Sequence, residues 1–253
     1  MIDHVPQGDP CEACGERALS HRPEHKPKGD PCKICGLNAS RHRIRSRHQA
    51  SKMQTVFIGI DGEGQGRKDH KYVLLAASTE DGTRAWWVAP KELPTKDANG
   101  FWHYKRGLTT KECLDFILEF PQHNTKTFAY AFNYDLTKIL TDLPENLLYL
   151  LFRPELRARV GAEALKGPKP IKWEGYSLNL QGSKFTIRKG NRRKVIWDVW
   201  KFYQSSFVNA LKEWKVGTEE ELERMALMKS KRGEFDKESP EDVLKYCLSE
   251  CRK

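Results

Sequence analysis

Two carboxylates one residue apart follow an apolar run in the first third of the chain. The run Val56-Phe-Ile-Gly-Ile has the composition of a β-strand, and Asp61 and Glu63 come directly after it. In a strand, residues i and i+2 point to the same side, so both acids are expected to converge. Convergent carboxylates repel each other unless a cation lies between them, and Mg²⁺ takes oxygen ligands of this kind. The pair therefore requires a strand that ends at a polar, cation-binding site.

Length and charge limit what the rest of the chain can be. Its 253 residues are enough for one α/β domain of roughly 200 residues and a small additional segment. Lys and Arg outnumber Asp and Glu by 44 to 34, which favours an anionic partner such as nucleic acid. No apolar run approaches the ~20 residues that span a bilayer, and the N-terminus lacks a signal-peptide pattern. We expect an intracellular protein without a membrane partner.

A repeat with an offset of 21 residues occupies the segment 1–54. Each copy has a Gly-Asp-Pro-Cys-x2-Cys-Gly turn followed by a histidine. Such turns aim two thiolates at one Zn²⁺, and the metal would supply the folding energy that so short a segment lacks. Two schemes are open: one zinc bound by the four cysteines, or one zinc in each copy with histidines completing the set. The candidate ligands are Cys11, Cys14, His21 and His25 in the first copy, and Cys32, Cys35, His42 and His48 in the second.

The domain predicted over 55–253 alternates between strand-like and helix-like patterns. Three apolar runs separated by turns predict three consecutive strands, followed by a helix, a strand and a helix. Thr110 is the expected N-cap of the first helix. The predicted strands are 55–61, 72–78, 84–89 and 126–132, and the predicted helices are one beginning at Thr110 and one over 136–143. This order is that of the ribonuclease-H-like α/β fold, in which helices flank a mixed five-stranded sheet.

Further acidic residues fall where this fold would bring them to the end of the first strand. Asp135 follows the fourth predicted strand, and Tyr246 and Glu250 lie four residues apart on one face of a predicted helix. Taken singly, Asp135 also fits a helix N-cap and Glu250 a solvated helix acid. An Asp-x-Glu strand, a Tyr-Asp strand end and a Tyr-x3-Glu helix in this order form a much rarer combination, which favours one functional site over separate structural roles.

These motifs resemble those of the 3′–5′ exonuclease domain of family B DNA polymerases, within the DnaQ-like group. The resemblance covers roughly 55–253 and excludes the zinc-type repeat. Two further segments look like the protein-primed phage and plasmid branch of that family. The matching segments are Asp61-x-Glu63, Tyr134-Asp135, Tyr246-x3-Glu250, Val195-Ile-Trp-Asp198 with Phe202 and Ser206-Phe207, and Arg232-Gly-Glu-Phe235, where arginine replaces the branch's lysine.

The chain departs from the family pattern at three positions. Glu250 stands in place of an aspartate and is one methylene longer. Ala131 stands where the second motif usually has asparagine. Val199 stands where the branch often has a Ser or Thr that binds single-stranded DNA, and its side chain cannot donate that hydrogen bond.

The resemblance implies a proofreading-type 3′–5′ exonuclease that hydrolyses 3′-terminal phosphodiester bonds of single-stranded DNA by a two-metal mechanism. Tyr246 would orient the attacking water, and Arg232 would neutralise the scissile phosphate. The residues implied to bind the two Mg²⁺ or Mn²⁺ ions are Asp61, Glu63, Asp135 and Glu250.

A basic region lies within 153–194, where twelve Lys or Arg residues accompany three Asp or Glu residues. Part of it resembles a β-hairpin insertion at about 170–197, and interleaved aromatic residues suit a strand that tracks phosphates and stacks on bases. A solvated basic face has the same composition. The interleaved aromatics are Trp173, Tyr176 and Phe185, and the candidate DNA-binding residues are Asn133, Lys184, Arg188, Arg192, Arg193, Lys194 and Phe202. The tryptophans expected in the core are Trp86, Trp87, Trp197 and Trp214.

The expected partners are single-stranded DNA or a primer–template 3′ end. The palm of a polymerase would follow the third motif, so we expect no polymerase activity in this chain and a polymerase partner that is a separate subunit or a further domain. A different class of function stays open, a catalytically weak DNA-binding or replisome adaptor that uses the zinc units and the basic hairpin. The expected location is the cytoplasm, of the host if a phage or plasmid encodes the protein.

Overall fold

The computed structural model describes residues 55–66 and 70–253, so the zinc-binding segment predicted for 1–54 lies outside the described residues. The strands are β1 (Val56–Gln65), β2 (Lys71–Thr79), β3 (Ala85–Val88), β4 (Thr95–Lys96), β5 (Trp102–His103), β6 (Thr125–Ala129), β7 (Ile171–Trp173), β8 (Tyr176–Gln181), β9 (Lys184–Lys189) and β10 (Arg192–Asp198). The α-helices are α1 (Thr110–Glu119), α2 (Asn133–Ile139), α3 (Glu145–Phe152), α4 (Trp200–Tyr203), α5 (Phe207–Glu213), α6 (Glu219–Ser230) and α7 (Pro240–Cys251). Short 3₁₀ helices occupy Pro154–Arg157, Gly161–Lys166 and Arg232–Glu234. Within this part of the chain, no helix is both long and apolar enough to cross a membrane.

One mixed sheet of eight strands forms the centre of the domain, in the order β3-β2-β1-β6-β10-β9-β8-β7. Strand β1 is antiparallel to β2 and parallel to β6, which is in turn parallel to β10. The prediction of five strands was wrong, because β7, β8 and β9 continue the sheet from β10 through antiparallel pairing. A mixed sheet with flanking helices is compatible with the predicted ribonuclease-H-like fold.

The two halves of the sheet are covered differently. Helices α1 and α3 pack against one face, and α7 packs against the other face over β1 and β2. Because β2 is covered from both sides, almost all of its residues are buried. In β6, β8, β9 and β10 buried residues alternate with more accessible ones, the pattern of strands covered on one face. One face of this half of the sheet is therefore accessible.

Two hydrophobic cores hold the helices to the sheet. The larger core joins α1 and α2 to the sheet and contains Ile58, Leu114 and Phe185. A separate cluster lies under α7, where Leu74 of β2 meets Val243 of α7. Full burial of one such side chain stabilises a fold by roughly 1.5–3 kcal/mol. Helix α7 is thus attached to the sheet through a core of its own.

The N-cap of helix α1 lies one residue earlier than predicted. Thr109 rather than Thr110 is the N-cap, because its hydroxyl accepts a hydrogen bond from the Glu112 amide. The Glu112 carboxylate accepts one of 2.9 Å from the Thr109 amide, which completes a capping box. Arg106 donates two hydrogen bonds of 2.8 Å to the same carboxylate. The helix start is therefore fixed both from within and by the preceding loop.

Several aromatic residues predicted in the core are exposed, and others predicted at the surface are buried. Trp87, Trp197 and Trp214 were expected in the core but are 54%, 40% and 57% exposed. Tyr176 and Phe185 were expected to stack on bases but are buried in the core. Of the four tryptophans expected inside, Trp86 packs against the core and Trp87, its neighbour in β3, does not. A shift of one residue along a strand reverses the face, and composition does not reveal that register.

Candidate active site

Three carboxylates meet near the end of β1. Asp61 and Glu63 lie in β1, and Glu250 lies in the last turn of α7. One carboxylate oxygen from each residue lies within 4.8 Å of the others. Glu63 and Glu250 are buried, whereas Asp61 is partly accessible. The three acids form a compact cluster that opens to solvent through Asp61.

Two glycines of β1 allow this convergence. A Cβ atom on Gly59 would lie 1.9 Å from the carbonyl oxygen of Cys251, so only glycine lets the last turn of α7 rest on the strand. A Cβ atom on Gly62 would lie 1.7 Å from the hydroxyl of Tyr72. The glycines on either side of Asp61 therefore make room for α7 and for a tyrosine of β2.

Two basic residues stand among the carboxylates. The Nη2 atom of Arg232 is 3.1 Å from Glu63 Oε1 and 2.9 Å from Glu250 Oε2. The same atom is 3.8 Å from Asp61 Oδ2. Lys229 Nζ is 2.8 Å from the other oxygen of Glu250. Helix α6 and the 3₁₀ turn after it thus supply both cations, and α7 supplies the acid that they share.

Asp135 lines the same cavity as Asp61 and Glu250. It lies in the first turn of α2 and is not its N-cap, which is Phe132. The Asp135 Oδ1 atom accepts a hydrogen bond of 3.0 Å from the buried hydroxyl of Tyr72. Of the four predicted metal ligands, three therefore converge closely and Asp135 lies beside them.

Burial makes the ionised carboxylates costly at this site. Burial, followed by the charges of Glu250 and Glu63, raises the pKa of Asp61 well above its usual value. Burial also raises the pKa of Glu63, against the lowering effect of Arg232. The pKa of Asp135 is raised by burial as well, against the hydrogen bond from its tyrosine partner. Burial opposes the charge on Arg232, but the surrounding acids prevail and raise its pKa.

The donor set fits a divalent cation. All of the candidate ligand atoms are carboxylate oxygens, which Mg²⁺ and Mn²⁺ prefer. Four carboxylates face two basic side chains, so two negative charges stay uncompensated when every group is ionised. A divalent cation would supply that missing charge. Asp61, Glu63 and Glu250 could hold it, with Asp135 beside them.

The hydroxyl of Tyr246 has no hydrogen-bond partner in the described part of the chain, although it is buried. Burial and then the charge of Glu250 raise the pKa of Tyr246, so the hydroxyl stays protonated. An unpaired buried hydroxyl costs roughly 1–3 kcal/mol. This cost is accounted for if a water or a ligand binds the hydroxyl during function.

A cavity of about 340 Å³ lies beside the carboxylates. Gly59 and Phe128 of the sheet form part of its lining, and a group of aromatic residues forms much of the rest. These residues are Tyr130, Tyr134, Trp200, Tyr203, Phe207 and Trp214. Aromatic faces are favourable surfaces for nucleobases. Tyr134 and Phe207 belong to motifs noted in the sequence, but their grouping with the other aromatics could not be predicted, because the members come from separate segments and share no spacing.

The predicted DNA-binding residues occupy different surroundings. Lys184, Arg188 and Arg193 belong to the accessible half-sheet, Arg192 is exposed at the start of β10, and Asn133 and Phe202 are exposed on α2 and α4. Lys194 is buried, and its Nζ donates hydrogen bonds to the carbonyl oxygen of Pro121 and to the hydroxyl of Thr125. The prediction that Lys194 binds DNA is wrong, because the alternation of β10 turns its side chain away from the accessible face.

Three residues of the site were not identified from the sequence. Lys229 lies three residues before Arg232. This spacing places two side chains on the same helix face, so Lys229 could have been predicted beside Arg232. Tyr72 could not have been predicted, because β2 had only the pattern of a buried strand. His70, which precedes β2, belongs to no motif. His70 Nε2 is hydrogen-bonded to the hydroxyl of Tyr134, and its Nδ1 atom is 2.9 Å from the carbonyl oxygen of Gly66.

No protein-family model matches the chain, and no curated protein sequence matches it. Among solved structures, the phi29 DNA polymerase complexed with single-stranded DNA is similar over 78% of this chain and 30% of that chain. The sequence identity is 10% and the TM-score is 0.40. The chain therefore spans less than a third of the length of that polymerase.

Proposed function

We propose that this chain is a metal-dependent 3′–5′ exonuclease of the proofreading type, acting on single-stranded DNA. The observation that supports this most directly is the convergence of Asp61, Glu63 and Glu250 beside an aromatic cavity. An all-oxygen site with uncompensated negative charge suits Mg²⁺ or Mn²⁺. The cavity volume of about 340 Å³ suits a terminal nucleotide and is far too small for a duplex.

The side chains around the cavity have separate roles in the proposed reaction. Bound Mg²⁺ or Mn²⁺ would supply a more acidic water and would offset charge on the phosphate. Tyr246 holds the attacking water through a hydroxyl that stays protonated. Arg232 is always charged, and its planar guanidinium suits two oxygens of the scissile phosphate. Lys229 holds Glu250 in place through their 2.8 Å ion pair.

The aromatic lining of the cavity binds the terminal base in this proposal. Stacking on an aromatic ring contributes roughly 1–3 kcal/mol per base and tolerates every base. Such tolerance is required of an enzyme that removes whichever nucleotide is at the 3′ end. The resemblance described from the sequence adds a DNA polymerase as the partner, either as a separate subunit or in the same polypeptide.

The proposal predicts stepwise shortening of 5′-labelled single-stranded DNA by the wild-type protein with Mg²⁺ or Mn²⁺. Asp61→Asn removes a metal ligand, and we expect it to lower the rate by more than about 100-fold, since loss of a supporting partner alone costs 10–100-fold. Tyr246→Phe is expected to lower the rate while leaving the free energy of unfolding unchanged or higher, because it removes an unpaired hydroxyl. Gel analysis of the labelled products measures the rates.

Asp115→Asn is the matched control, since Asp115 lies on α1 and pairs with Lys189 away from the cavity. It should cut like the wild type. Circular single-stranded DNA should remain intact, because it has no 3′ end. The proposal is lost if the wild-type protein binds the labelled strand but shortens it no faster than Asp61→Asn.

That outcome would favour a DNA-binding adaptor without catalysis. One observation supports this second candidate: Arg232 contacts all three clustered acids and thereby provides a cation of the protein's own. A site whose negative charge is partly balanced by the protein's own cations needs less metal. The rate measurement with Mg²⁺ and Mn²⁺ separates the two candidates.

A further inference from the structure

The accessible half of the sheet presents a row of aromatic side chains. Trp197 of β10 is in register with Phe128 of β6, which is in register with Gly59 of β1. The rings of Phe128 and Phe57 have centroids 5.9 Å apart. Phe57 and Trp197 are 39% and 40% exposed. Burial of such rings normally stabilises a fold, so their exposure on one continuous face requires a reason.

Basic side chains extend this row across the sheet. Lys184 of β9 pairs with Trp197, and its Nζ lies 5.2 Å from the centroid of the indole ring. Arg188 and Arg193 are opposite each other in the same strand pair, and both are exposed. Lys126 of β6 is exposed on the same side as Phe128. None of the residues of β6, β8, β9 and β10 whose side chains lie on this face is acidic.

This aromatic and basic face is continuous with the cavity, because Gly59 and Phe128 belong to both. From β1 to β8 the sheet crosses four strand spacings, a width of about 19 Å. That width accommodates several nucleotides of a single strand. Exposed aromatics bind the bases of single strands, and surrounding Lys and Arg bind their phosphates. A duplex does not fit this chemistry, since its bases are stacked on one another.

We propose that the face formed by Phe57, Phe128, Trp197, Lys184, Arg188 and Arg193 binds single-stranded DNA and leads the strand to the cavity. Only one part of the inference rests on the proposed function, namely that the bound strand leads to the cavity as the nuclease substrate. Binding of a strand to the face does not depend on hydrolysis. The charge of the face and its continuity with the cavity favour nucleic acid over a protein or a second copy of this chain.

The test uses the full-length protein with EDTA, so that binding is measured without hydrolysis. Fluorescence anisotropy compares labelled oligothymidylates of about 4 and about 12 nucleotides, since the shorter strand fits near the cavity and the longer one reaches the face. We expect Arg188→Glu/Arg193→Glu to weaken binding of the longer strand by about 10-fold or more. The slope of log affinity against log salt should fall by about 1.4, because each of the two lost phosphate contacts contributes about 0.7. Trp197→Ala should weaken it by about 5-fold or more through lost stacking.

Lys91→Glu/Lys111→Glu is the matched control, because it makes the same change in charge after β3 and on α1, which packs on the other face. It should bind the longer strand more tightly than the face variants do, whereas the face variants should bind the short strand like the control. The inference is overturned if the face variants bind the longer strand as the control does. If the face variants keep their DNA affinity but unfold at a lower urea concentration, the face is covered by residues 1–54. If they keep their DNA affinity but sediment differently, the face binds a second copy of the chain. Either result overturns the inference.

Failure of the nuclease proposal gives a different result. In that case no variant shortens DNA when Mg²⁺ replaces EDTA, but the face variants still bind the longer strand less tightly than the control. Failure of the face alone gives normal hydrolysis in Arg188→Glu/Arg193→Glu, with an unchanged KM for long strands.

Discussion

Ala131 lines the cavity in a backbone conformation that alanine seldom adopts. Its φ of 54° lies in the left-handed region, where a Cβ atom costs roughly 1–2 kcal/mol. Asparagine and glycine tolerate this region much better. Asparagine is also the residue that the related motif usually carries at this position. The left-handed backbone at this position is therefore a source of strain in this chain.

Replacement of Ala131 by glycine is accordingly predicted to stabilise the protein. We expect Ala131→Gly to raise the free energy of unfolding by about 0.5–1 kcal/mol, since relief of the strained φ exceeds the entropy cost of glycine. Urea unfolding measures the change. Ala158→Gly is the control, because Ala158 is exposed and has an ordinary φ of −57°. It should destabilise, and the explanation fails if both variants do.

Arg232 balances the buried acids, and this leads to a prediction that does not require activity. With EDTA, Arg232→Met should lower the free energy of unfolding by about 2–3 kcal/mol. This is below the 3–5 kcal/mol of a fully buried pair because the side chain is 41% exposed. Saturating Mg²⁺ should recover part of the loss, since a cation that binds only the folded state stabilises it.

The control is Lys231→Met, a neighbouring cation paired with Glu238 at 2.9 Å on the surface. It should cost less than about 1 kcal/mol and show no additional recovery with Mg²⁺. Equal behaviour of the two variants in Mg²⁺ and in EDTA would contradict a cation site at the three acids.

At the scale of elements, the position of α7 on β1 depends on one missing side chain. Gly59→Ala forces a Cβ atom against the Cys251 carbonyl, which is backbone and cannot rotate away. We expect a loss of about 1–3 kcal/mol in the free energy of unfolding, together with weaker Mn²⁺ binding, because Glu250 moves with the helix. Urea unfolding and calorimetric titration of Mn²⁺ measure the two effects.

Gly233→Ala serves as the control, since nothing lies within 4 Å of the added Cβ atom. Its effect on stability should be small. If Gly59→Ala behaves in the same way, the close approach of α7 to the strand does not limit that position.

The elements that could be predicted are those with local patterns. Apolar runs bounded by turns mark β1, β2 and β3, and a capping sequence marks the start of α1 to within one residue. The sequence also indicated that Asp61, Glu63 and Glu250 would meet, because each belongs to a short motif. The continuation of the sheet through β7–β9 could not be predicted, since a hairpin that extends a sheet has the same local pattern as one that projects from it. The outward orientation of Trp197 depends on register, which no single residue determines.

At the scale of the whole chain, the prediction of zinc concerns residues 1–54 and can be checked on the full-length protein. Elemental analysis after purification without chelator should give one zinc per chain if four cysteines share one ion, and two if each repeat binds its own. Cys11→Ser/Cys14→Ser should then lower the content by one, since each scheme needs both thiolates. Asp61→Asn should leave the zinc content unchanged. A zinc-free wild-type protein would refute both schemes.

Helix α7 rests on the sheet through a core of its own, and its last turn carries Glu250. Local opening of an element requires less free energy than global unfolding, so we expect a minority of molecules in solution to have this helix released. Only the docked population holds all three acids together. Dilute denaturant should therefore abolish cation binding in part before the rest of the sheet unfolds, and a bound cation should slow hydrogen exchange in α7 more than in β9.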